Sequence, residues 1–187
     1  MWDALNTLEL NILDMISGVR CTALDLIMPI ITLLGEDGIF FISLAVVMLF
    51  FPRTRKCGIC IGAALLMGFV IGNLTLKPLL CRMRPYDFNS DYNAAELLVG
   101  TLRDYSFPSG HTLCVFEGSV VLFLTQRRAI GVPALILAAL VAFSRLYLYV
   151  HYPTDVIAGA LLGTLFAVLS CAIVERLYPP HPNKNRE

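Results

Sequence analysis

The sequence predicts an all-α, polytopic membrane helix bundle of about six transmembrane helices, preceded by an N-terminal amphipathic helix. Three observations lead there. The 187-residue chain is 57% hydrophobic and only 15% charged, whereas soluble domains carry about 25% charged residues. Its mean hydropathy is +0.73. Several apolar runs approach the roughly 20 residues that a helix needs to cross a bilayer.

The elements follow in order. Across residues 4–17, Leu5, Leu8, Ile12 and Met15 recur at helical spacing against Asn6, Glu9, Asn11 and Asp14, which predicts an amphipathic helix lying on the membrane surface. The run from Thr22 to Leu34 contains Asp25 and Pro29 and ends at Gly35-Glu36-Asp37-Gly38; it is expected to span only if joined to the preceding helix. Five clearer spans come next: Ile39 to Phe51, Cys57 to Leu80, Thr112 to Thr125, Ala134 to Val150, and Val156 to Tyr178 at most. The first and third are short, so their helices should extend into polar neighbours or tilt. One domain over residues 1–180 and a disordered tail over 181–187 complete the organisation.

Bulk features exclude several function classes. With 14 basic and 14 acidic residues, no global field draws nucleic acid. The first twenty residues hold Asp3, Glu9 and Asp14 without a basic start or a long apolar stretch, so no cleaved signal peptide is read. The six cysteines follow no framework spacing. Cys57 and Cys60 lack both the βαβ context of a redox pair and the further ligands of a zinc site, and read as packed apolar residues.

Basic residues in short loops favour the cytoplasm. Arg53, Arg55 and Lys56, then Arg127 and Arg128, then Arg176, Lys184 and Arg186 fall on one side if the five later spans alternate. Residues 81–111 and the link from His151 to Thr154 fall on the other, together with Lys77, Arg82, Arg84, Arg103 and Arg145.

Ionisable residues at membrane depth are costly and by default functional or paired. Here they gather on one face: Lys77 and Arg84, then His111, then Arg145, His151 and Asp155. Arginine and lysine offer charge-assisted donors to phosphate oxygens. Pro108-Ser109-Gly110-His111 adds a hydroxyl and free N–H groups at a helix start, a ready anion site. Three cations and a helix start suit a phosphoryl group and its transition state. Asp155, four residues after His151, would fix that ring's tautomer and free its other nitrogen to attack phosphorus, leaving His111 as general acid. Taken singly, each residue has an ordinary reading: Lys77 or Arg145 as a snorkelling anchor, either histidine as a structural hydrogen-bonder, Asp155 with Thr154 as a helix cap.

Together the residues resemble the type 2 phosphatidic acid phosphatases. The three motifs of that family read here as Lys77 and Arg84-Pro85 separated by six residues, Pro108-Ser109-Gly110-His111, and Ser144-Arg145 followed by His151 and Asp155. The resemblance implies a six-helix membrane core whose site faces away from the cytoplasm in bacterial members. It implies His151 as nucleophile, Asp155 as its orienting partner and His111 as general acid. Lys77, Arg84, Ser109, Gly110 and Arg145 would bind phosphate, with no metal and no cofactor. Haloperoxidases that bind vanadate share the motif set, because vanadate mimics the phosphoryl transition state.

Around the motifs, Ser144 is a candidate to touch the phosphate or support the site, or a local hydrogen-bonder. Glu117 lies six residues into a span, where a carboxylate is costly unless protonated or paired, and is a candidate supporting group near the site. Arg82 and Arg103 are open between substrate contact and headgroup pairing. Asp104 and Tyr105 would shape the rim. Residues 86–107 carry specificity in no legible pattern. The expected function is hydrolysis of a lipid phosphate or diphosphate, undecaprenyl diphosphate or phosphatidylglycerophosphate, in the bacterial cytoplasmic membrane with the site on the extracytoplasmic face. Membrane lipids and the lipid substrate are the expected partners. Phosphoryl transfer to another acceptor, and membrane transport, are the alternatives.

Overall fold

The chain, seen as a computed structural model, is described over residues 2–92 and 97–179. The expected tail 181–187 and Glu96 of the specificity loop lie outside the described residues. Every regular element in the described residues is helical: α1 (Asp3–Ser17), α2 (Thr22–Thr32), a 3-10 stretch (Leu33–Gly38), α3 (Ile39–Leu49), α4 (Arg55–Gly68), a π-helical stretch (Phe69–Leu76), the single turns α5 (Lys77–Leu80) and α6 (Pro85–Phe88), α7 (Gly110–Thr125), α8 (Arg128–Tyr147) and α9 (Pro153–Leu177).

Four helical segments are long and apolar enough to cross a membrane: Thr22–Leu49, Arg55–Phe88, Arg128–Tyr147 and Pro153–Leu177; Gly110–Thr125 is a shorter apolar helix. Together these make five apolar helical segments among the described residues, near the expected number of about six. Residues 22–34 do not join the preceding helix. They run into α3 through a break at Glu36 (ψ 118°), Asp37 (φ 47°) and Gly38 (φ 67°), where two successive left-handed residues redirect the chain, a conformation costly for Asp and easy for Gly. This upstream half supplies the length that Ile39–Leu49 lacks.

Helix α7 is central. At 16 residues it covers about 24 Å, and its neighbours approach it through glycines. A Cβ on Gly159 or Gly163 of α9 would meet the Ser109 carbonyl at 2.8 Å and the Leu113 carbonyl at 2.6 Å. These two glycines, four apart, let the backbones meet as small residues do between membrane helices. Gly118 of α7 similarly admits the Phe41 ring of α3. Phe41, Ile61, Val121, Val141 and Ala167 fill the interior. On α9, Ile157, Leu161, Leu165 and Leu169 form an exposed apolar stripe. Lipid solvates such a stripe as well as a core would, so cohesion in the bilayer rests on close packing and interhelical hydrogen bonds.

Helix α1 is turned differently from the amphipathic expectation. Asn6 and Glu9 are buried, while Leu8, Ile12 and Met15 are exposed. A buried arginine, described below, pulls the polar edge inward. The aromatic cluster of Tyr147, Tyr149 and Tyr152 with Leu13 and Met28 seals this end: the Tyr147 and Tyr149 hydroxyls each donate at 2.7 Å, to Asp25 and Asp14. At the other end Lys56 donates to the Tyr178 carbonyl, bringing the basic 53–56 turn and the end of α9 together.

Candidate active site

The three sequence motifs converge at the α1 end of the bundle. Ser109 N donates to the Asp155 carbonyl at 3.1 Å, tying the second motif to the third. A Cβ on Gly110 would stand 3.6 Å from Lys77 Nζ and 3.4 Å from Asn73 Oδ1, so the first motif lies against the N-terminus of α7. Local structure fixes each piece. Ser109 caps α7, its Oγ accepting from Thr112 N at 3.4 Å and from Thr112 Oγ1 at 3.0 Å. Pro153 opens α9, where Asp155 Oδ2 accepts Tyr152 N–H at 2.9 Å, the arrangement of a capping box.

His151 is fully buried at the centre. Its Nε2 lies 3.2 Å from Arg84 Nη1. Arginine can only donate, so Nε2 carries the lone pair and Nδ1 the proton. Nδ1 faces Ser106 Oγ at 3.4 Å and Asp155 Oδ2 at 3.5 Å, and Ser106 Oγ donates to the same carboxylate oxygen at 2.5 Å. Burial, then the Arg84, Arg145 and Lys77 charges, hold the His151 ring well below the usual histidine range. That environment disfavours the charged ring, whose Nε2 lone pair faces the cations.

Arg84 donates to the Val150 carbonyl at 2.8 Å, the Asp104 carbonyl at 2.9 Å and Asp104 Oδ1 at 2.5 Å. Lys77 pairs with Asp104 Oδ2. Burial pushes the Asp104 carboxyl up, but Lys77 and Arg84 outweigh it and hold the group down at about 2. Arg145 Nη1 donates to Thr32 Oγ1 at 2.5 Å, and its buried Nε–H has no partner among the described residues. His111 Nε2 lies 3.1 Å from Glu36 Oε2. Such a set can hold an oxyanion on charge-assisted donors, attack it with an imidazole nitrogen and protonate a leaving oxygen with a second imidazole.

Lys77, Arg84, Gly110, His111 and His151 line one cavity of about 1340 Å³, which continues past Glu117 between α3 and α4 to Leu49 and Gly58. Ser144 Oγ donates to the Val141 carbonyl of its own helix at 2.6 Å. Glu117 is buried with Oε1 unpartnered, pressed against Gly68, where a Cβ would be 2.1 Å from that oxygen.

Sequence reasoning did not place five groups. Arg82 is neither solvated nor beside a headgroup: it is fully buried, donates to Asp155 Oδ1 at 2.5 Å, Thr154 Oγ1 at 2.7 Å and Asn6 Oδ1 at 2.8 and 3.0 Å, and pairs with Glu9. Its guanidinium lies between the Tyr152 and Trp2 rings, 4.0 and 4.6 Å from their centroids. Asp104, half exposed at the cavity, pairs with the cations Lys77 and Arg84. Ser106, Glu9 and Glu36 carried one signal, a polar group beside or within an apolar segment, and nothing in one dimension named their partners.

The model of the PAP2 superfamily matches residues 56–179. An undecaprenyl-diphosphatase of Sulfolobus acidocaldarius is 40% identical over 133 residues, 71% of this chain and 63% of that protein, so the match leaves over a third of that relative's length uncovered. A protein of Bacillus licheniformis named bacitracin transport permease protein BcrC is 33% identical over 75% of this chain and 68% of its own. The crystal structure of a transmembrane PAP2-type phosphatidylglycerolphosphate phosphatase from Bacillus subtilis superposes with a TM-score of 0.78 at 27% identity, covering 94% of this chain and 89% of that one. With the family model covering more than half of the sequence and the three motifs meeting in one buried site, the chain belongs to the PAP2 superfamily.

Proposed function

We propose that the protein is an integral membrane lipid phosphatase that works through a phosphohistidine on His151. The observation that carries this reading is the His151 ring itself, with Nε2 at 3.2 Å from Arg84 Nη1 and Nδ1 toward Asp155. Lys77, Arg84, Arg145 and the Ser109-Gly110 start of α7 bind the phosphoryl oxygens. His151 Nε2 attacks phosphorus while Asp155 holds the Nδ1 proton, and His111 protonates the departing oxygen. Water, deprotonated by the now neutral His111, then cleaves the phosphohistidine and returns the ring to its starting state. The chemistry needs no metal.

The substrate is a lipid phosphate or diphosphate, with undecaprenyl diphosphate favoured by the Sulfolobus relative and phosphatidylglycerophosphate by the Bacillus structure. The apolar continuation of the cavity toward Leu49 and Gly58 suits its hydrocarbon tail. The site end is extracytoplasmic in a bacterial cytoplasmic membrane, since Arg53, Arg55, Lys56, Arg127, Arg128 and Arg176 belong to the opposite end. Cys21 and Cys81 are exposed at the site end, so a membrane-impermeant maleimide should label them in intact cells.

The deciding assay is phosphate release in EDTA from a panel of lipid monophosphates and diphosphates, wild type against His151→Ala. Release that disappears in the variant supports the mechanism and ranks the substrates; release indifferent to His151 overturns it. A transport reading, prompted by the name of the Bacillus licheniformis relative, expects flux that survives the same substitution.

A further inference from the structure

Glu36 is in the Gly35–Gly38 break between α2 and α3, outside the stretch matched by the family model. Its carboxylate is placed rather than loose. Gly35 lets the backbone lie so close to the first turn of α7 that a Cβ there would be 3.1 Å from both Cβ and Cδ2 of His111, and Cys114 Sγ donates to the Gly35 carbonyl at 3.4 Å. The left-handed Asp37 and Gly38 then turn the chain into α3. The result is Glu36 Oε2 at 3.1 Å from His111 Nε2, in the cavity that also holds Lys77, Arg84 and His151.

We propose that Glu36 is a positioning residue for the leaving-group acid: once a phosphoryl dianion is bound among the three cations and His111 is protonated, it accepts Nε2–H of that imidazolium, compensates part of its charge, and leaves Nδ1–H for the departing oxygen. The Cδ2–Nε2 edge of the ring faces Gly35 and Glu36, so the Nδ1 edge faces away from them. As the P–N bond to His151 forms and the P–O bond breaks, the leaving oxygen takes the Nδ1 proton and His111 becomes neutral. The water of the second step returns a proton to Nδ1. Glu36 keeps its charge throughout and orients the ring in both steps, as a carboxylate does for a catalytic histidine.

The inference rests on the phosphohistidine reading, and the test separates the two. Farnesyl phosphate and farnesyl diphosphate share a tail but differ in the leaving oxygen, an alkoxide against a phosphate. kcat/KM reports the chain of events through departure of that oxygen and is blind to the later hydrolysis. Glu36→Gln should lower kcat/KM on the monophosphate by about 100-fold, the lower range for losing acid catalysis, and on the diphosphate by less than about tenfold. Glu36→Asp should recover part of the loss. A second measurement covers a protein that accepts only the diphosphate: in a double-mutant cycle, Glu36→Gln should cost nothing further once His111 is alanine. An equal fall on both substrates, or a full additional loss in the His111→Ala background, overturns the role of Glu36. Phosphate release that survives His151→Ala instead overturns the underlying mechanism.

Discussion

Arg82 Nη1 lies 2.5 Å from Asp155 Oδ1, with both side chains fully buried. Since Asp155 also faces His151, the proposed nucleophile, the partner of that ring is anchored from beyond the motifs, by an arginine that α1 holds through Asn6 and Glu9. Removing one partner of a buried pair leaves uncompensated charge, at a cost of about 3–5 kcal/mol. Arg82→Ala should therefore lower the thermal midpoint in detergent by several degrees and reduce kcat, because Asp155 loses its anchor. Glu9→Gln keeps the shape and one acceptor, and should cost less on both measures.

Asp104 bridges Lys77 and Arg84 where the phosphate oxygens are proposed to bind, so the incoming anion competes with an internal one. Asp104→Asn removes that competitor. Its side chain is half exposed, and with solvent screening the gain is about 1 kcal/mol, or roughly fivefold. Inhibition by orthovanadate should therefore tighten about fivefold. Unchanged inhibition would mean that Asp104 swings clear of the site at no cost.

The pH dependence has a defined sign for two groups. His151 titrates below its ordinary value in the fold, so near and below about pH 6.5 the unfolded chain binds the extra proton and stability falls with acidity, by up to about 1.4 kcal/mol per pH unit. Asp104 is depressed to about 2. Its contribution is present above about pH 3.9, the unfolded value, and is lost as pH falls toward 2. Denaturation followed from pH 8 to 4 should thus show destabilisation beginning near 6.5, and His151→Asn should make that limb shallower.

Glycines divide by what surrounds them. A Cβ on Gly118 would meet Phe41 Cδ1 at 1.9 Å, and one on Gly68 would meet Glu117 Oε1 at 2.1 Å, while nothing lies within 4 Å of one on Gly62. Gly118→Ala should destabilise by about 1–3 kcal/mol through overpacking. Gly62→Ala, mid-helix, should stabilise by up to about 1 kcal/mol. Gly68→Ala should be rescued in part by Glu117→Ala, which removes the obstructing carboxyl; unfolding midpoints of the four single variants and the Gly68→Ala/Glu117→Ala double variant check all of this.

The fold class was legible in the sequence, since apolar runs long enough for lipid can satisfy their backbones only as helices, and histidines, cations and an aspartate at fixed spacing pointed to the phosphoryl site proposed above. Which polar groups meet, and how residues 22–34 connect to the next helix, is visible only in the folded chain. Residues 22–34 look like a poor span of their own, and only packing against α8 and α7 joins them through Glu36–Gly38 into one broken crossing. Glu9 and Glu36 stand in one dimension as a helix's polar face and a turn, yet they meet Arg82, 73 residues away, and His111, 75 residues away. Ion pairs of that kind have no local signature, since a carboxylate finds its partner through the fold rather than through its neighbours in the chain.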